Sequence, residues 1–252
     1  VYDWSHYRGS QAVTGPADVD AIADAGVQTL YLQTAKPDVE APGVLEPDLL
    51  LPIIDRARLR GMKVVAWYLP TLVDIDNDMA RLMATAALRV DGLAVDIESR
   101  DVADPGERNR RLVELSRRLR SALPDRVIGG IVLPPVVTEV INTNYWPGFP
   151  WAELAPLFDV WMTMGYWTNR TVASGWRDAH LYTVENVNRM RANLGLPDAP
   201  VHPIGGIGDR TTTADLDGFR VAVEELGAIG GSIYDWRTTA AGAWSRLRAL
   251  RA

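Results

Sequence analysis

Short apolar, β-rich runs recur eight times along this chain of 252 residues, at 1–2, 29–33, 63–68, 92–96, 127–132, 160–164, 201–205 and 230–234. Their mean spacing of roughly 30 residues accommodates a strand, a loop, a helix and a return. The segments between them carry helix punctuation. Residues 16–25 open on Pro16 and close before Gly26, and 47–60 open on Pro47 and close before Gly61. Residues 103–123 stop before Pro124, and 213–226 stop before Gly227. Near-continuous apolar strands must be covered on both faces, which alternating helices achieve around a parallel sheet. Eight such units in this length predict an α/β fold, a (β/α)8 TIM barrel forming one domain over 1–252. An open doubly wound sheet would put a glycine-rich phosphate turn after its first strand. Here that turn runs from Asp3 to Gly9 with no G-x-G-x-x-G. No linker or low-complexity tract interrupts the pattern, and 142–150 reads as a loop insertion after a strand.

Composition narrows the function classes. A net charge of −6 argues against a nucleic-acid partner or an anionic membrane surface. Arg108, Arg110, Arg111, Arg117, Arg118 and Arg120 do cluster, but Glu107 and Glu114 interleave with them, as on a solvated helix face. Without cysteine there are no disulfides and no thiolate metal sites. No apolar run approaches the ~18 residues of a membrane span. Because the chain opens at Val1 rather than methionine, a removed leader and an extracellular or cell-envelope location are the expectation.

In an α/β barrel the chemistry sits at the carboxyl ends of the strands. The fourth run ends in Asp91-Gly92-Leu93-Ala94-Val95-Asp96-Ile97-Glu98, which carries two carboxylates two residues apart. Strand side chains alternate, so Asp96 and Glu98 share a face while Ile97 points away. Two acids at the end of a buried strand are costly unless binding or catalysis uses them. Glycoside cleavage needs a protonated acid at the leaving oxygen and an anion near an oxocarbenium-like centre. Two close carboxylates resist double ionisation, so one keeps its proton near neutral pH. The other strand ends supply Asp3, Trp4, Gln33, Trp67, Tyr68, Tyr166, Trp167, Asp235 and Trp236 as candidate substrate-binding residues. Nine Trp and eight Tyr against three Phe favour rings that pair a flat apolar face with a polar edge, which suits sugars.

Residues 91–98 resemble the D-G-x-D-x-D-x-E signature of glycoside hydrolase family 18, the chitinase-like barrels. Asp91-Gly92, Asp96 and Glu98 occupy its positions, and Ala94 stands where its second aspartate would be. The resemblance implies that Glu98 is the general acid and that Asp96 orients the substrate's N-acetyl group. Residues 162–166 are similar to the family's Met-x-Tyr-Asp segment, which implies Tyr166 beside the reacting sugar, with Trp167 in place of the aspartate. Residues 230–234 resemble the closing glycine-rich strand, which implies Trp236 or Tyr234 as a subsite floor. Residues 2–9 resemble the opening D-V-S-x-x-Q-G of family 25 lysozymes, which implies a part for Asp3. Where Ala94 removes a carboxylate, Asp3 or Asp235 is the expected substitute.

Other motifs have plainer readings. Asp74-Ile75-Asp76-Asn77-Asp78 resembles the start of a calcium loop, but without its later ligands it reads as a helix N-cap before a helix near Met79. His6, His180 and His202 show no ligand spacing, so no metal and no cofactor is expected. The glycines of 204–210 fit a tight turn as well as a phosphate cradle. No G-x-S-x-G elbow is present. The expectation is a glycosidase acting on a polysaccharide, with a non-catalytic, lectin-like carbohydrate-binding barrel as the alternative.

Overall fold

The computed structural model describes residues 15–37 and 43–250. The strand expected at 1–2 lies outside them; each of the other seven runs contains or overlaps a strand. The described residues pack as two compact units that divide between Gly130 and Ile131, inside a strand.

The first unit alternates α1 (Pro16–Asp24), β1 (Thr29–Gln33), α2 (Pro47–Leu59), β2 (Lys63–Tyr68), α3 (Ile75–Ala86), β3 (Gly92–Ile97), α4 (Pro105–Ala122) and the start of β4 (Ile128–Val132). β1 pairs parallel with β2, and β2 parallel with β3. Their register aligns Gln33 with Trp67 and Trp67 with Ala94. One sheet face meets the helices: the Thr34 hydroxyl donates to Thr85 of α3 (3.1 Å), and the Tyr68 hydroxyl donates to Asp78 of α3 (2.6 Å). Leu32, Val64, Ala66, Leu93 and Val95 fill that layer. By alternation the opposite face carries Tyr31, Gln33, Val65, Trp67, Ala94 and Asp96.

Asp91, first residue of the signature, works as a clamp below the strand. Its carboxylate accepts from the Val64 N–H (2.9 Å) and the Lys63 ammonium (3.1 Å), tying the start of β3 to the start of β2. The acidic run at 74–78 caps α3 four residues earlier than expected: Asp74 accepts from the Asn77 N–H at 3.0 Å, so the helix begins at Ile75. Its last member, Asp78, turns inward. On α4, Arg110 and Arg111 pair with Glu107 as a solvated face should, but Arg108 departs from that expectation and is buried at 3% exposure.

The second unit holds the end of β4, α5 (Trp151–Leu154), β5 (Val160–Thr163), α6 (Ala179–Leu194), β6 (Ile204–Ile207), α7 (Thr213–Glu225), β7 (Ser232–Tyr234) and α8 (Trp244–Leu247). β6 and β7 are parallel partners. The run expected as one strand over 201–205 is split into an isolated bridge at Val201 and β6 from Ile204. Pro203 lies between them and has no N–H to give a ladder. A core forms from Val136, Trp167, Ala179, Tyr182, Leu216, Phe219, Val223 and Ile233.

The glycines of β6 make that core possible. A Cβ at Gly205 would stand 2.7 Å from both the Trp167 ring and Ile233, and one at Gly206 would stand 2.8 Å from the same ring. The indole therefore lies directly on the strand backbone, which settles the glycines as a close approach rather than a phosphate cradle. No described helix is long and apolar enough to cross a membrane. Gly205→Ala is expected to overpack this contact and cost about 1–3 kcal/mol, read as a lower melting temperature in a thermal denaturation scan.

Candidate active site

Every residue of β3 is buried, and its final turns position the two acids. Asp96 is on the face opposite Leu93 and Val95 at 8% exposure, and Glu98 follows just beyond the strand end, half-buried. Asp96 Oδ1 has no hydrogen-bond partner among the described residues. Desolvation, with the Glu98 charge adding to it, pushes the Asp96 carboxyl well above its ordinary value. Burial also pushes the Glu98 carboxyl up. Both acids therefore hold protons more tightly than exposed carboxylates, and ionising one resists ionisation of the other.

Around them on β1 and β2 stand Gln33, 9% exposed, and Trp67, 7% exposed, whose indole Nε1 has no partner among the described residues. Tyr31, two residues before Gln33 on the same face, was not anticipated; burial pushes its phenol up. Alternation from Gln33 would have found it.

Tyr68 corrects the sequence reading. It is fully buried on the helix face, and its hydroxyl is spent on Asp78, which also accepts from the Thr71 N–H (3.2 Å) and Leu72 N–H (2.8 Å). One residue along a strand reverses the side chain, so Trp67 and Tyr68 cannot both face a ligand.

In the second unit, Trp167 is likewise corrected. It has no exposed surface, and its ring meets Phe219 at 5.2 Å between centroids. The 3-10 turn Trp167–Asn169 carries it onto β6 rather than outward. Asp235 is 3% exposed, and its Oδ1 accepts from the Thr238 N–H (2.9 Å) and hydroxyl (3.0 Å), closing its own loop. Tyr166 is half-buried and meets Tyr234 edge-on at 5.8 Å. Trp236, also half-buried, lies against Trp244 at 4.8 Å and 35°. Trp244 was missed, because nothing local announces that a helical tryptophan eight residues on will share a surface with a strand-end one. Asp3 and Trp4 lie outside the described residues. Among those described, no cluster of His, Asp or Glu is arranged to hold a metal ion.

No protein-family model matches the sequence, and no curated protein matches it. Solved structures do match in three dimensions. A chitinase from Chromobacterium violaceum aligns with a TM-score of 0.63 at 12% identity, over 98% of this chain and 97% of that one. The GH18 chitinase of Cycas revoluta, solved with (GlcNAc)3, aligns at 0.65 and 11% identity, over 94% and 97%. The chain has the (β/α)8 barrel fold of the family 18 chitinases. An exo-β-1,4-mannosidase from an Opitutaceae bacterium also aligns, at 0.61 and 18% identity, over 86% of this chain and 47% of that one.

Two outcomes follow from the geometry. A carboxyl whose folded-state value is raised stabilises the fold below its ordinary value near 3.8 and loses that contribution as pH rises through the raised value. Asp96→Asn should therefore be more stable than the wild type by about 1–2 kcal/mol at pH 8. In urea titrations the difference should vanish below about pH 4. Tyr68→Phe should lose about 1–3 kcal/mol by leaving Asp78 short of a donor, while any glycan turnover stays at the wild-type rate.

Proposed function

We propose that this chain is a glycoside hydrolase that cleaves a polysaccharide with Glu98 as general acid and Asp96 assisting. The observation that carries the reading is the pair itself: two carboxylates at the end of one parallel strand, both raised by burial, one with an oxygen, Asp96 Oδ1, that has no hydrogen-bond partner among the described residues. The coupled pair retains a proton near neutral pH, and Glu98, at the strand end, is the member that gives it to the leaving glycosidic oxygen. Asp96, one step deeper on the same strand, holds the sugar's group next to the anomeric carbon and offsets positive charge developing there. After departure of the leaving group, water adds to the sugar and returns a proton to Glu98. The barrel fold supports the assignment, because in such folds strand ends carry the chemistry.

Coverage of nearly the whole chain by the Chromobacterium violaceum match supports reading 1–252 as one barrel domain. The half-exposed rings of Tyr166, Tyr234, Trp236 and Trp244 are the sugar-stacking surfaces of the second unit. An extracellular or cell-envelope location, where structural polysaccharides lie, is part of the proposal. The second reading, a lectin-like barrel that binds without cleaving, draws on Ala94 and on the inward turn of Trp167, which leave two signature positions without carboxylates.

The test is a hydrolysis panel of N-acetylglucosamine oligomers, β-mannosides, peptidoglycan and other glycans, with Glu98→Gln beside the wild type. Cleavage by the wild type, falling by about 100-fold or more in Glu98→Gln, is the expected result. The wild-type rate should decline toward alkaline pH as Glu98 ionises. Equal rates in both proteins would remove Glu98 from the mechanism, and matched binding without cleavage would establish the lectin-like reading.

A further inference from the structure

Trp67 and Ala94 are register partners on adjacent strands, with Asp96 the next residue on the same face toward the carboxyl end. Neighbouring strands lie about 4.8 Å apart, and same-face residues along one strand about 7 Å apart. The diagonal from Trp67 to Asp96 passes Ala94, whose side chain is a single methyl group. Both residues are more than nine-tenths buried, at 7% and 8% exposure. Yet Trp67 Nε1 and Asp96 Oδ1 each lack a hydrogen-bond partner among the described residues. A buried donor and a buried acceptor on one face, each unmatched, leave work for a third group that is itself both acceptor and donor.

We propose that Trp67 is a specificity-determining residue of the Glu98 site: its indole N–H and the Asp96 carboxylate grip one donor–acceptor group of the bound sugar, a hydroxyl or an amide. Trp67 Nε1 donates to that group's oxygen, and Asp96 Oδ1 accepts its O–H or N–H. The inference rests on the carbohydrate reading above. It also gives Ala94 a reason: the carboxylate absent there is replaced, from the neighbouring strand, by a neutral donor that adds no negative charge to the pair. Phenylalanine at 67 would supply the apolar face without the donor.

The decisive variant is Trp67→Phe, assayed on whichever glycan the wild type cleaves. A drop in kcat/KM of about tenfold is expected, confined to substrates that keep the gripped group. Deoxy and N-deacetylated analogues separate the two sources, since the analogue lacking that group should be turned over equally by wild type and variant. An unchanged kcat/KM in folded Trp67→Phe overturns the proposal. Independently of that variant's folding, the Trp67 indole N–H resonance, assigned in 15N-labelled Glu98→Gln protein, should move downfield on glycan binding. If it stays fixed while other signals shift, the proposal is likewise overturned. Glycan bound but never cleaved would sink the hydrolase reading alone, and the indole shift would still decide the role of Trp67. No binding of any glycan would end both.

Discussion

A carboxyl held in the interior with one oxygen, Asp96 Oδ1, unmatched among the described residues is the constraint around which the first unit is arranged. Ionised and unmatched, such a group costs several kcal/mol, and a fold tolerates it only where the surrounding structure is secure. Here that security comes from β3, buried along its whole length and fixed at its start by the Asp91 clamp on β2. Leu93, Val95 and Ile97 anchor one face of the strand against the helices. The other face is thereby committed, and Asp96 has nowhere to turn. Rigidity at the base of the strand and discomfort at its tip are two consequences of one packing arrangement.

The contrast with Asp78 makes the distinction between satisfied and unsatisfied buried acids concrete. Both aspartates are buried, at 2% and 8% exposure, and burial raises both. Asp78 receives the Tyr68 hydroxyl and two backbone N–H groups, which pull against the desolvation. Asp235 is similarly provided for by Thr238. Asp96 has a like charge for a neighbour and, among the described residues, no donor on Oδ1. Hydrogen-bond satisfaction, rather than burial or residue type, separates Asp78 and Asp235 from Asp96.

Much of this was legible in the chain. Strand positions followed from apolar runs and helix ends from proline and glycine, because both signals are local. The Asp96 and Glu98 pairing followed from the two-residue period of a strand. What was not legible were the partners of side chains whose neighbours are distant in sequence. Tyr68 looked like a strand-end ring until Asp78 claimed its hydroxyl. Trp167 looked like a site residue until the paired glycines of β6 admitted its ring. Local pattern gives a side chain's direction, but only packing shows what it meets.

The order of elements, the alternation of faces and the placing of two acids at one strand end are therefore written in the chain, since each depends on backbone periodicity. The tertiary structure decided which aromatic rings are core and which are available, which aspartates are satisfied, and that Trp67 stands level with Ala94. These depend on the register between strands and on close approaches between segments far apart in the chain, and no local spacing encodes them.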